Sequence, residues 1–432
     1  MPISRTDAAH LLRRAGFGAT KPAIDLLSQA ASWGAAVDVV CDTSRDPAML
    51  APATLLDTSA SQFRRLSALD NWWMERMRSG PCPLVDKIAL FHHGLWTTRL
   101  PWEITMLWDA LIVYRRKSLG SYRDFAQAMA VTPTMLTWLN NDDNVAPDRF
   151  NENFARELME LFTMGNGTYS QADVRAMTRA WSGHGSDATG LRYQFRADHH
   201  DAGLKTLFGI TKAWNGPDTI DEILLGSKAV VSSEYYVSRL WSFLAYPNPE
   251  PALVADLATQ FRADGLHVGR LVKRVFLRPE FRSQKARYGL LRSPTEFMVA
   301  AAMALDIPIS SAKPMTYAEY MGQMLFVPPN VSGWSPRSWL SDAGFWRRGH
   351  YLTDVSGLAT TAPYNRFAGL EQYAPWAMFL TAVRTFGIES CSAATQGRIM
   401  AWATGMKGTP QAWSIPRSLV VLMGMSPEFQ LA

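Results

Sequence analysis

The densest run of chemically capable side chains is Asn151-Glu152-Asn153-Phe154-Ala155-Arg156-Glu157-Leu158-Met159-Glu160-Leu161-Phe162. On a helix, Phe154, Leu158, Leu161 and Phe162 form a buried stripe, and Asn153, Glu157 and Glu160 line up beside it at spacings of four and three. Two carboxylates three residues apart on one face can share a hard or borderline cation, or divide acid and base roles between them. The same spacing lets Arg156 pair with Glu152 on one side and Glu160 on the other, as on an ordinary exposed helix. A second candidate is Asp198-His199-His200-Asp201. Four ligand-type side chains in succession can converge on a metal, or a His-Asp pair can orient an imidazole for proton transfer; a polar surface turn accounts for them equally. The third is His92-His93, near the end of a segment from Leu84 to Trp96 that is apolar on nearly every side. Imidazoles buried there need a partner for each ring nitrogen, and a metal is one such partner.

Helical elements must position these groups. Phe63, Leu66, Leu69, Trp73 and Met77 recur every three or four residues, as do Val174, Met177 and Trp181. Gly16 and Gly18 close a first helix over roughly residues 6 to 15, and Gly80-Pro81 stops a longer one. Ser170 with Asp173, and Ser293-Pro294 with Glu296, have the spacing of capping boxes, so Asp173 reads as a cap. Leu191, Tyr193 and Phe195 alternate with arginine and glutamine, the pattern of one arm of a short hairpin. The expected fold is mainly α: a large single helical domain or two closely packed helical subdomains, with at most a small β-hairpin near residues 189–197.

The 432 residues carry 43 Lys+Arg against 38 Asp+Glu, a net charge of +5. That excess is scattered in short clusters such as Arg115-Arg116-Lys117 and Arg347-Arg348, which read as solvated helix faces and not as a nucleic-acid track. No uncharged apolar run approaches the ~18 residues of a spanning helix, so no membrane span is expected. The first residues lead directly into amphipathic sequence without the apolar core of a secretory signal, which predicts a cytoplasmic location. Three distant cysteines, Cys41, Cys82 and Cys391, form neither a zinc ribbon nor a disulfide framework. No GxSxG, GxGxxG, Walker A or HExxH motif is present, so hydrolase-elbow, dinucleotide and kinase chemistry have no support.

Seven runs in order carry a resemblance. They are His10-Leu11-Leu12-Arg13-Arg14-Ala15-Gly16-Phe17-Gly18, Trp72-Trp73 with Arg76-Met77, Lys87 to His93, Asn151 to Thr163, His200 to Thr206 with Gly209, Ser293 to Phe297, and Pro328 to Trp334. Together they resemble the bacterial DUF1800 family. The resemblance implies a mainly helical fold with a family-like core over 1–340 and a C-terminal helical extension over 341–432 packed on it. It supplies no established reaction. Many family members carry export signals and are encoded beside proteins that resemble alkaline phosphatases, which implies a phosphatase-like partner and allows export in complex with a signal-bearing one. The family's run resembles Phe-Trp-His-x-His-Phe; here His92 replaces the tryptophan and Leu95 the second histidine, so His93 is the matched imidazole. His184 stands where the family tends to have tryptophan.

Two functions follow from these residues. The first is a metal-dependent enzyme with a site between helices, its metal held by His93, Glu157, Glu160 and His200, with Glu157, Asp201 and Arg156 as catalytic groups. Mixed imidazole and carboxylate ligands suit iron, manganese or zinc, and the substrate is left open. The second is a non-catalytic helical protein that works with a phosphatase-like partner, the same polar residues locking helices together.

Overall fold

Apolar residues every three or four positions, started by serine caps, make helices of most of the chain. The computed structural model describes residues 3–99 and 101–432. Ser4, Ser61, Ser170 and Ser293 each accept the backbone N–H three residues on, opening the helices Arg5–Ala15, Gln62–Ser79, Gln171–Ala180 and Pro294–Leu305. The last two have complete capping boxes, with the Asp173 and Glu296 carboxylates returning to the cap backbone. Leu66, Leu69, Trp73 and Met77 are buried on the second of these helices; Phe63, in its first turn, is exposed.

From Leu84 on, the Pro83–Leu95 helix buries every side chain, including Asp86, Lys87, His92 and His93. Such a helix needs internal partners for its charges. Asp86 finds one on the Thr105–Arg116 helix: Arg115 Nε donates to Asp86 Oδ1 at 2.7 Å and Nη2 to Oδ2 at 3.2 Å, both side chains being 1% exposed. Trp73 Nε1 donates to the same carboxylate at 3.0 Å, and Asp46 joins through Arg115 Nη2 at 2.9 Å and Arg76 Nη2 at 2.8 Å. Three helices are thus tied by one buried pair. The expectation of a solvated Arg115-Arg116-Lys117 face is corrected here: Arg116 is exposed, but Arg115 points inward.

Buried apolar contacts run without a break from Ile3 to Phe429. The Asp342–Ala359 helix packs on the Ile415–Gly424 helix and on Pro294–Leu305, so residues 341–432 share the same interior. Backbone closes the join, where Arg292 N–H donates to the Gln430 carbonyl at 2.9 Å and Ala432 N–H to the Leu290 carbonyl at 2.8 Å.

Two short antiparallel hairpins interrupt the helices. Tyr193–Phe195 (β2) is the expected arm and pairs with His184–Ser186 (β1). A second hairpin, Lys205–Leu207 (β3) with Ile210–Lys212 (β4), lies outside the expected region. Its two turn residues, Phe208 and Gly209, both have positive φ, at 50° and 82°. The glycine between two alternating triplets was the available signal. Among the described residues no helix is long and apolar enough to cross a membrane.

Asp86→Ala leaves the buried Arg115 guanidinium with only the more exposed Asp46 as its carboxylate and is expected to cost about 3 kcal/mol in urea unfolding. Arg116→Ala should cost less than ~0.5 kcal/mol by the same measurement.

Candidate functional site

The carboxylate run begins as the α-helix Asn153–Glu157 and continues as one turn of π-helix over Leu158–Thr163. The widened turn leaves its carbonyls to side chains. Tyr235 Oη donates to the Leu161 carbonyl at 2.6 Å, Tyr122 Oη to that of Phe162 at 2.7 Å, and Thr163 Oγ1 to that of Leu158. Turns of this kind recur at functional sites. Phe154, Leu158 and Phe162 are buried as their spacing requires. Arg156 Nη2 donates to Glu152 Oε1 at 2.7 Å and to Gln171 Oε1 at 3.1 Å, while Glu160 accepts from Tyr169 Oη at 2.6 Å. Of its two possible carboxylates, Arg156 therefore takes Glu152. Glu157 is half-buried, and burial together with the charge of Glu160 holds its carboxyl above the usual range.

The Asp198–Asp201 loop lies against the far end of the Gln171–Ala180 helix. His200 Nδ1 donates to the Ser182 carbonyl at 2.9 Å, which leaves Nε2 as the basic nitrogen. Asp201 pairs with Arg179 and accepts from Gly203 N–H at 2.8 Å. Burial pushes its carboxyl up, but these bonds outweigh it and hold the group below the usual range. Gln171 and Arg179 are eight residues apart, about 12 Å along the axis, so Arg156 and Asp201 serve opposite ends of one helix. His184, on β1, faces His200 with ring centroids 6.1 Å apart and is bonded through Nδ1 to Tyr193 Oη and through Nε2 to Asn215 Oδ1.

His93 sits in an aromatic box of Trp73, Tyr114, Phe326 and Trp334. Its Nε2 accepts the backbone N–H of Phe326 at 3.0 Å, so the proton is on Nδ1 and the Nε2 lone pair is occupied. His92 meets Tyr236 Oη through Nε2 at 2.8 Å. Among the described residues no three His, Cys, Asp or Glu side chains are grouped to hold a metal. Of the expected ligands His93, Glu157, Glu160 and His200, the two glutamates are neighbours, His93 lies in the aromatic box and His200 on the Asp198–Asp201 loop. A surface cleft of about 490 Å³, lined by Tyr246, Glu250, Arg278 and Lys285 among others, contains none of them.

Other residues of the same sequence runs do converge. Lys87 pairs with Glu296, and Arg14 and Arg292 lie close enough to both to affect their ionisation. Arg13 and Arg348 complete a buried cationic centre. In the sequence these residues stand out by charge and not as metal or acid–base ligands. The available signal was the presence of Arg13, Arg14, Lys87 and Arg292 on segments whose apolar patterns already required burial.

Two measurements follow from these environments. Arg156→Ala should cost below ~1 kcal/mol, since Arg156 and Glu152 are 33% and 45% exposed. Burial pushes His92 and His93 down to about 3 and His184 to about 4. Unfolded histidines take protons near pH 6.5, so below that pH the unfolded chain binds more protons and stability falls as pH drops. In urea melts between about pH 6 and 4.5, His92→Gln should lessen this slope by about 1.4 kcal/mol per pH unit, one proton's worth.

No curated protein and no solved structure matches the chain. Residues 10–431 match the family described as "Protein of unknown function (DUF1800)", a match that includes residues 341–431. Covering nearly the whole chain, and in keeping with the runs from His10 to Trp334, this match places the protein in the DUF1800 family.

Proposed function

We propose that this chain is a helical accessory protein that works by docking a protein partner, with the polar side chains of its motif runs acting as clamps between its own elements. The observation that carries this reading is the use to which those side chains are put. His93 Nε2 accepts from Phe326, Asp201 pairs with Arg179, Glu160 accepts from Tyr169 and Lys87 pairs with Glu296. Groups already bonded inside the fold hold geometry and have little capacity left for a substrate. The docking face lies in the C-terminal part, where Tyr373, Trp376 and Trp413 are exposed on segments packed together. Clustered exposed aromatics fit a protein surface. The phosphatase-like protein that accompanies the family is the partner of choice.

One feature favours the enzymatic reading. Glu157, beside a π-turn, keeps a carboxyl that burial and Glu160 hold above its usual range, the state suited to proton transfer. His93 does not fit a metal shared with it, because its lone pair is taken.

Sedimentation of the chain mixed with a phosphatase-like partner tests the proposal. The expected result is a stoichiometric complex that Trp413→Asp with Trp376→Asp weakens about tenfold or more, as loss of aromatic anchors does. Absence of a complex, with one equivalent of transition metal retained by wild type and lost on Glu157→Gln, would overturn it in favour of the metalloenzyme.

A further inference from the structure

Clefts on this surface differ in how far their polar groups are already engaged. In the one beside Tyr246 they answer each other: Lys285 Nζ and Tyr246 Oη both donate to Glu250 at 2.8 Å, and Arg278 reaches Asp256 at 2.7 Å and Glu280 at 3.3 Å. A second cleft, of about 400 Å³, is different. It is lined by Arg99, Pro101, Thr134, Thr137, Trp138 and Val327, so apolar surface dominates and a single side chain carries charge. That size and lining are those of a small-molecule site, mostly apolar with a few polar groups to fix orientation.

The walls are held by bonds made within the fold. Thr134 Oγ1 donates to the Met106 carbonyl at 2.8 Å, which ties the Pro133–Trp138 helix to the Thr105–Arg116 helix. Thr137 Oγ1 donates to Asp142 Oδ2 at 3.4 Å, and Val327 follows Phe326, whose N–H is held by His93 Nε2 at 3.0 Å. With both hydroxyls committed, Arg99 is the lining side chain with donors to offer. It is exposed, and its guanidinium carbon lies 5.7 Å from the centroid of the Trp138 ring. Among the described residues it has no carboxylate partner: Glu103 pairs with Arg65 at 2.5 Å, and Asp142 accepts the Ser186 N–H at 2.5 Å. A ring against a guanidinium takes one face and leaves the edge N–H groups free, in the planar fork that matches a carboxylate. One cation in an otherwise apolar cleft also sets the ligand's charge. A second negative charge, as on a phosphate ester, would be desolvated there without a counter-ion.

We propose that this cleft binds a small organic carboxylate, its anionic end held by the Arg99 edge and its apolar body against Pro101, Val327 and the partly exposed Trp138 ring. Entry needs no opening of the fold, because the cleft lies at the surface and Arg99 reaches solvent. The inference does not depend on partner docking, which involves Tyr373, Trp376 and Trp413.

Benzoate is the probe, titrated into the full chain at constant ionic strength and followed by calorimetry and by NMR saturation transfer from protein to ligand. The expected result is saturable binding in the millimolar range with transfer to the ring protons. Benzamide, which has the ring without the charge, and acetate, which has the charge without the ring, should each bind about tenfold or more weakly than benzoate. Arg99→Gln should weaken benzoate about tenfold or more, the worth of one charge-assisted hydrogen bond. Because Arg99 is exposed and unpaired, this variant should melt at the wild-type temperature. Arg270→Gln, equally exposed on the Val268–Leu277 helix, should leave benzoate binding unchanged. Heat that never saturates, or binding equal in wild type and Arg99→Gln, overturns the proposal. Phenyl phosphate binding more tightly than benzoate overturns it too, since a single arginine would then not account for the charge.

Discussion

The Glu296 carboxylate is the charge on which the assembly of distant segments depends. It closes the capping box of its own helix by accepting Ser293 N–H at 2.9 Å, and it pairs with Lys87 of the buried Pro83–Leu95 helix. Burial pushes its carboxyl up, but the Lys87 ammonium and the Ser293 bonds more than compensate and keep it ionised. With that one negative charge in place, Arg14 from the first helix, Arg292 from the loop before its own helix and Arg348 from the C-terminal part can be buried together. Remove it and they are left with like charges, rings and neutral acceptors such as Gln430 and the Ala286 carbonyl.

The same constraint recurs in smaller form across the interior. A helix apolar on nearly all sides cannot present its polar residues to water, so each one specifies a neighbour: Asp86 takes Arg115 and Trp73, His92 takes Tyr236, and His93 takes the backbone of Phe326. These bonds are directional, whereas the apolar contacts around them are not, and this fixes which helices meet and at what register. The π-turn at Leu158–Thr163 follows the same rule. Its freed carbonyls persist because Tyr122, Tyr235 and Thr163 supply the donors the helix no longer does.

The candidate site is partly legible in the sequence. The stripe of Phe154, Leu158 and Phe162 and the caps at Ser170 and Ser293 are local properties, set by a period and by hydrogen bonds spanning three residues. The Arg156–Glu152 pair is equally local, since four residues on a helix guarantee proximity. His93 and His200 are a different matter, because nothing in their spacing states whether chains 107 residues apart will meet. Arg115 and Arg348 show the limit most plainly. Each stands beside a second arginine, and only the packing of the helix decides which of the two faces the interior.

What the sequence by itself determined is the helical class, the helix starts and stops, the burial of the Pro83–Leu95 helix and the family. All of these rest on interactions within a turn or two of chain, or on patterns read along it. The tertiary structure alone decided that the two buried histidines are sealed among aromatics, that Arg156 and Asp201 lie at opposite ends of one helix, and that Arg14, Lys87, Arg292 and Arg348 gather around Glu296 with Arg13 beside Arg14 and Arg292. Those outcomes depend on which buried charge finds which partner across hundreds of residues, and the pairing follows from the packing of all the helices together.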